Sequence, residues 1–412
     1  NIGFGLGITL GDFNNDTWTD IFVSNDFFER DYLYINDQGG AFTESLTDYF
    51  ESISLGSMGA DFADLDNDGE PELFVTEMLP DSLNRKKTKM VYESWNKYEL
   101  NIQNGYYHQY PRNVLQKKIG ETEYVDIGRL AGVAASEWSW GALLFDMNND
   151  GRRDIFIANG IYKDLLDRDY LTYTGAEDNV RKIIKEEKNA IVKLIDLMPS
   201  SSFINYAYLN DGNFNFKSIA HDWGLDEPMY SSGSAYGDLD NDGDLDLVVN
   251  NMNAHSVIYK NNTDTSQYKS ISVALTSRSG NSFAVGSQLT AHCGSKTFVA
   301  DNFVTRGYQS SVQPFMTIGL GEDVTVIDSL IIRWPDHDYT VLYNTPVNQK
   351  LQIAKEDHQN MRHNVAKKSG EGNDFKMDIV SNHLLRHVGS GLVDFNRDRL
   401  LPMMYSNEMP YL

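Results

Sequence analysis

Asp238-Leu-Asp240-Asn-Asp242-Gly243-Asp244-Leu-Asp246 runs without a break into the apolar Leu247-Val-Val249. The same pattern occurs three more times. Asp12-Phe-Asn14-Asn-Asp16-Thr17-Trp18-Thr-Asp20 precedes Ile21-Phe-Val23, Asp64-Leu-Asp66-Asn-Asp68-Gly69-Glu70-Pro-Glu72 precedes Leu73-Phe-Val75, and Asp146-Met-Asn148-Asn-Asp150-Gly151-Arg152-Arg-Asp154 precedes Ile155-Phe-Ile157. Side-chain oxygens at positions 1, 3 and 5, a backbone carbonyl at 7 (Trp18, Glu70, Arg152, Asp244) and a carboxylate at 9 let a short turn wrap a hard cation that takes about six to eight oxygens. Glycine at position 6 permits the sharp bend. Thr17 stands there in the first loop, which is therefore expected to be the weakest site or empty. An EF-hand would need a bidentate Glu at position 12 and a helix after it. Position 12 is instead Val23, Val75, Ile157 or Val249, each inside a strand-like run. Clusters of Asp, Asn and Gly also make ordinary turns, but four recurrences with a strand on the far side favour calcium.

The unit from Gly11 through Asp12-Phe-Asn-Asn-Asp16 to Asp20-Ile-Phe-Val23 resembles an FG-GAP, or VCBS, repeat, the blade motif of integrin-alpha-type β-propellers. That resemblance implies a four-stranded blade whose calcium loop joins two strands, with three to four Ca2+ ions in this chain. The flank Tyr32-Leu-Tyr-Ile-Asn36 followed by Gly40-Ala-Phe-Thr43, and the parallel Tyr208-Leu-Asn210-Asp-Gly-Asn-Phe214, are similar to the second half of such a blade. A second resemblance covers about residues 267–353. Gly280-Asn-Ser-Phe-Ala-Val-Gly286, Gly307-Tyr-Gln-Ser310, Ile318-Gly-Leu-Gly321 and Ile331-Ile-Arg-Trp334-Pro335 follow in the order of the ASPIC/UnbV module. That module accompanies such propellers in cartilage acidic protein and in many bacterial surface proteins. The expected fold is all-β: a calcium-loop propeller over 1–262, incomplete within this chain and carrying helical insertions, then a small β-rich module over 263–355. A polar linker over 356–412 follows, and Val393-Asp-Phe-Asn-Arg-Asp-Arg-Leu-Leu-Pro402 reads as the start of a further repeat region.

Composition narrows the function. A chain of 412 residues, 41% hydrophobic, is long enough for two domains with cores of their own. Aromatic residues make up 12%, which suits strands that pack on pleated faces. The formal net charge of −24 disfavours nucleic acid and anionic lipid as partners. Four calcium ions, each bringing two positive charges, would reduce that charge to −16, so much of the acidity is site chemistry. Cys293 is the single cysteine; no intramolecular disulfide forms, and a buried, inert thiol is expected. No apolar run reaches the roughly 18–20 residues of a membrane-spanning helix. The chain starts at Asn1 without a methionine or signal peptide, and is read as a mature piece or fragment, with a lipid anchor ahead of it left open.

The loops start at 12, 64, 146 and 238, at spacings of 52, 82 and 92 residues. A blade needs about 40–50, so the longer spacings must hold insertions or blades without a metal loop. One insertion, near 160–200, reads as helix: Val180, Ile183, Ile184, Ile191, Leu194, Ile195 and Met198 recur at three- and four-residue steps, a stripe expected to dock on its own domain. The other, near 81–113, opens with the basic Arg85-Lys-Lys-Thr-Lys89, read as a solvated turn, and ends in Tyr106-Tyr-His-Gln-Tyr-Pro-Arg-Asn113. Those rings would suit a sugar or peptide, although a plug in the channel or between blades is favoured. Trp138-Ser-Trp140 is expected to pack between blades. Catalytic signals are thin: no histidine stands in an H-E-x-x-H context, His383 and His387 read as a chance pair, and Gly319-Leu-Gly321 matches the hairpin turn of the module. The expected function is a non-catalytic, calcium-binding recognition or adhesion protein, extracellular or on the bacterial outer surface, taking a protein, peptide or glycan ligand. An accessory lipoprotein of a nutrient-uptake complex and a calcium-dependent glycan or peptide hydrolase are the alternatives.

Overall fold

The computed structural model describes residues 3–27, 29–89, 94–278 and 280–357. From residue 358 onward the linker, the Val393–Pro402 stretch and the His383/His387 pair lie outside the described residues.

Each apolar run behind a loop becomes the second strand of an antiparallel blade. In the first blade Phe4–Gly11, Asp20–Asp26, Tyr32–Asn36 and Phe42–Glu44 pair in chain order. The second uses Ala60–Ala63, Glu72–Val75, Val114–Lys118 and Tyr124–Asp126, and the third Ser139–Phe145, Asp154–Asn159, Tyr206–Asn210 and Phe216–Ser218. The fourth has three strands, Ser231–Gly237, Asp246–Asn251 and Val257–Tyr259. The second strands are the most apolar because both of their faces are covered, and every residue of Asp154–Asn159 is buried.

The cores lie between blades. Phe13, Phe22, Phe62 and Val75 fill the first interface, Leu65, Phe74, Leu144 and Ile157 the second, and Phe145, Phe156, Leu247 and Val249 the third. Burying each such side chain contributes about 1.5–3 kcal/mol. Offset stacking adds to it where Phe13 meets Phe62 and Phe145 meets Tyr236, with ring centroids 4.1 and 4.6 Å apart. The innermost strands stand side by side in chain order about a common axis. The result is an all-β, propeller-like arc of four blades, not a closed barrel.

The C-terminal module has its own core around the fully buried Trp334. In one sheet Lys269–Thr276 pairs antiparallel with Met316–Gly321 and parallel with Gln349–Ala354. The other runs Lys296–Asp301, Gln288–Cys293, Val326–Arg333, Tyr339–Pro346. A short hairpin, Thr305–Arg306 with Ser310–Ser311, leaves these sheets and enters the propeller axis between the innermost strands of blades one and four. There Gly307 N–H donates to the Ala60 carbonyl at 3.2 Å and Tyr308 packs on Trp140. Gly59 faces it so closely that a Cβ would stand 2.9 Å from the Gly307 carbonyl carbon.

Several expectations change. Both long spacings hold insertions, as expected, and among the described residues neither holds an extra blade. The stripe near 160–200 forms three helices, Arg168–Gly175, Glu177–Glu186 and Ala190–Asp196, and it is only half docked. Ile183 is buried and Val180, Leu194 and Met198 are partly covered, whereas Ile184, Ile191 and Ile195 are exposed. The basic run is a helix, Leu83–Lys89, and not a turn, and two of its cations find counter-ions outside it. Arg85 pairs with Glu137 and Asp164, and Lys89 with Asp164 and Asp167. Tyr106–Asn113 is structural, as favoured: Gln109–Tyr110 pairs in parallel with Ile53–Ser54, and Tyr107 donates its hydroxyl to the Phe50 carbonyl. Trp138 and Trp140 meet with their rings tilted, and the further partner of Trp140 is the axial hairpin. Gly319-Leu-Gly321 is no hairpin turn; it ends a strand that lies against the third loop. Cys293 is buried, and burial pushes its thiol up to about 11.

Candidate metal loops

All four loops join the first and second strands of their blades, so antiparallel order puts them on one face of the arc. Within each loop the backbone bends around the acidic side chains. The position-5 carboxylate accepts the position-7 N–H: Trp18 to Asp16 at 2.9 Å, Glu70 to Asp68 at 2.8 Å, Arg152 to Asp150 at 2.8 Å and Asp244 to Asp242 at 3.4 Å. The position-1 carboxylates Asp12, Asp64 and Asp146 accept the position-6 N–H of Thr17, Gly69 and Gly151. Position 6 has φ of 75° at Thr17, 88° at Gly69, 90° at Gly151 and 96° at Gly243, the left-handed region that glycine enters freely. Thr17 is held there by the module: His337 Nδ1 lies 3.1 Å from its hydroxyl, and Arg333 donates to its carbonyl at 2.7 Å.

The position-9 carboxylates Asp20, Glu72, Asp154 and Asp246 clamp the loop to its blade. Each accepts the N–H of position 2, from Phe13, Leu65, Met147 and Leu239 respectively. Asp20, Asp154 and Asp246 also accept the N–H of Asn36, Asn210 and Asn261 at the end of the third strand. An ionised carboxylate has about four acceptor sites, so these bonds leave lone pairs for a cation.

Burial makes the negative charge that the loops bring together costly. Burial first, and the neighbouring loop carboxylates with it, push Asp12 up to about 6, Asp20 and Asp146 to about 7 and Glu72 to about 8. Asp154 is raised well above the usual carboxylate range for the same reason. In loops two and four, oxygens of Asp64, Asp66 and Glu72, and of Asp238, Asp240 and Asp242, converge within 4.8 Å of one another. The buried Asp64 Oδ1 and Asp238 Oδ1 have no hydrogen-bond partner. Hard oxygen donors, converging charge and orphaned oxygens fit a calcium ion. Loops one and three bring Asp12, Asn14, Asp16 and Asp20, and Asp146, Asn148, Asp150 and Asp154, into the same turn, with amide oxygens at position 3.

Neighbouring loops are linked by a residue type that the ligand pattern did not single out. The position-4 asparagines Asn15, Asn67, Asn149 and Asn241 all have φ between 58° and 64°. Asn15 donates to Glu70, Asn67 to the Gly151 carbonyl and Asn149 to the Gly243 carbonyl, each in the next loop. Asn210 and Asn261 reach back to the carbonyls of Leu65 and Met147 in the preceding loops. The signal for both sets was their repetition at a fixed place in each unit. The module then seats on the loops: Ser270 donates to Gly243 O at 2.6 Å, Lys350 to Asn241 Oδ1 at 2.7 Å, and Gly321 N–H to Asn149 O at 3.0 Å. Arg153 bridges the Asp64 and Val299 carbonyls.

Comparison with known families agrees with this geometry. Residues 12–75 match the FG-GAP-like repeat and residues 277–360 the ASPIC and UnbV domain. The chain is thus a repeat protein that combines FG-GAP-like blades with an ASPIC/UnbV domain, a combination that indicates the surface or extracellular class. No curated protein matches it. Among the described residues no helix is long and apolar enough to cross a membrane.

Proposed function

We propose that the protein is a non-catalytic, calcium-binding recognition protein of the cell surface or extracellular space, whose ions fasten the blades to one another and to the C-terminal module. What supports this most is the linkage of the loops: each of the first three donates a hydrogen bond to the next, and the first, third and fourth also bond the module, so an ion bound in one loop steadies its neighbours. Asp12, Asp64, Asp146 and Asp238 with their partners at positions 3, 5 and 9 would hold the ions, and the carbonyls of Trp18, Glu70, Arg152 and Asp244 would complete the sets. The metal would supply only charge neutralisation and folding energy.

The module occupies the loop face, so recognition falls to the opposite face. The connections between second and third strands emerge there, with the two helical insertions tied together by Arg85 and Lys89. The ligand on that face is a protein, peptide or glycan. Calcium titration by calorimetry on chelator-stripped protein, with a melting curve at each point, tests the reading. Three or four ions and a large upward melting shift are expected; no heat and no shift would refute it.

A further inference from the structure

The residue opposite the position-9 carboxylate differs among the blades in a way that bears on metal binding. Pairing of Leu73 with Gln116 puts Glu72 across from Lys117, and pairing of Leu247 with Tyr259 puts Asp246 across from Lys260. The same register in blades one and three, Ile21 with Tyr34 and Ile155 with Tyr208, places Ile35 and Leu209 there. The two lysines thus occur in the two blades whose loops carry carboxylates at all of positions 1, 3, 5 and 9. They also occur where the position-1 carboxylate, 3% exposed at Asp64 and 7% at Asp238, keeps an oxygen without a partner.

Their ammonium groups enter the ligand sets. Lys117 Nζ lies 2.7 Å from Asp66 Oδ2, 3.2 Å from Glu72 Oε1 and 3.3 Å from Asp68 Oδ2, which are the donors at positions 3, 9 and 5. Its three N–H donors meet three carboxylates. The Phe214 ring of the neighbouring blade covers the ammonium at 4.4 Å from the ring centroid, so the head is anchored from two sides. Lys260 Nζ hydrogen-bonds Asp240 and stands 3.7 Å from Asp242.

A calcium ion needs those same oxygens at about 2.3–2.6 Å. An ammonium that remained among them would bring a like charge against the ion. We propose that Lys117 and Lys260 are tethered counter-ions that hold loops two and four in shape when calcium is absent and must be displaced when it binds. This rests on the calcium reading above. The lysine therefore acts with opposite sign on two observables, steadying the metal-free protein and weakening calcium binding at its own loop. A merely structural strand lysine would affect the first and leave the second alone.

The test compares wild type with Lys117→Met, which keeps the unbranched stem, and with Lys117→Arg, which keeps the charge. Calcium titration calorimetry is combined with melting in chelator. Lys117→Met is expected to tighten one site by about tenfold or more, the scale of one competing charge at a partly screened position, and to melt lower in chelator. Lys117→Arg should leave that site weak. Should Lys117→Met not refold without metal, Lys260→Met, at an exposed position, carries the same comparison on loop four. Calcium binding in wild type with the same constants in the Met variants would overturn the inference alone. No calcium binding in any of the proteins would overturn the calcium reading, and the inference with it.

Discussion

Removing the guanidinium of Arg306 should uncouple the module from the propeller. This side chain leaves the axial hairpin and pairs with Asp61 at 2.7 Å, with side-chain exposures of 10% and 1%. It also donates to the Phe62 and Asp301 carbonyls at 3.3 and 3.2 Å. Asp61 keeps two N–H donors, Phe62 at 2.9 Å and Leu144 at 2.8 Å, the second belonging to the next blade. Arg306→Met would leave a buried carboxylate with those two bonds and no counter-charge, a loss of about 3–5 kcal/mol. At roughly 2–4 °C per kcal/mol for domains of this size, the melting temperature falls by about 6–20 °C. Calcium must be saturating in every sample, since bound metal shifts stability by mass action. Most of the loss comes from the abandoned charge and little from the pair itself. The double variant Arg306→Met with Asp61→Asn should therefore recover at least half of it, the amide oxygen still accepting from Leu144. Calorimetric melting of the four proteins of this cycle measures both numbers. A single variant melting within about 2 °C of wild type, or a double variant below the single one, would show that the pair does not join the two domains.

Two further perturbations probe the loops. In chelator the raised carboxylates reverse the usual acid behaviour. A carboxyl held above its unfolded value near 4 stabilises fully below that value, and its contribution is lost as pH rises through about 6 to 8, the range of Asp12, Asp20, Asp146 and Glu72. The stripped protein should therefore melt higher at pH 5 than at pH 8, and saturating calcium should remove or invert that slope; a stripped protein whose melting point climbs with pH would contradict the electrostatic account. Asn210→Ala removes the bonds to the Leu65 and Arg153 carbonyls, at 2.7 and 2.9 Å, and should cost about 1–3 kcal/mol in denaturant unfolding. Calcium stoichiometry unchanged alongside that loss would mark Asn210 as a clip between blades and not a ligand.

The blade was legible because its signal is local. Nine consecutive residues carry the donor pattern and the next three the strand, and pairing of Asp20–Asp26 with Phe4–Gly11 needs only the intervening turn. The module was legible through glycines and a tryptophan that have fixed steric reasons, such as Trp334 in its core. What spans the chain was not legible. Arg306 and Asp61 are 245 positions apart, and the sequence around Gly307 says nothing of the Ala60 carbonyl it meets. The helical stripe misled because periodicity reports that a face is apolar without saying how much of it finds cover. Lys117 is not legible either, since a lysine three residues past Val114 reads as a solvated strand position until register sets it across from Glu72.

The distribution of cations over the loop face joins these observations. Arg333 reaches the first loop, Lys117 the second, Arg153 the carbonyl of Asp64 behind the second, and Lys260 with Lys350 the fourth. Two of these five, Arg333 and Lys350, come from the module, so the acidic face is neutralised partly from within the blades and partly by what covers it. Arg333 and Lys350, set on a metal-free acidic face, would gain Coulomb attraction, and that attraction would weaken once calcium had cancelled the charge of the face. Uncharged contacts must then hold the module in the calcium-loaded state. The bonds of Ser270 to Gly243 and of Gly321 to Asn149 do not depend on the loop charge, and they require the backbone bends that an ion would stiffen. Calcium would thus shift the module's attachment from charge pairing toward backbone fit, making its seating less sensitive to salt in the loaded protein than in the stripped one.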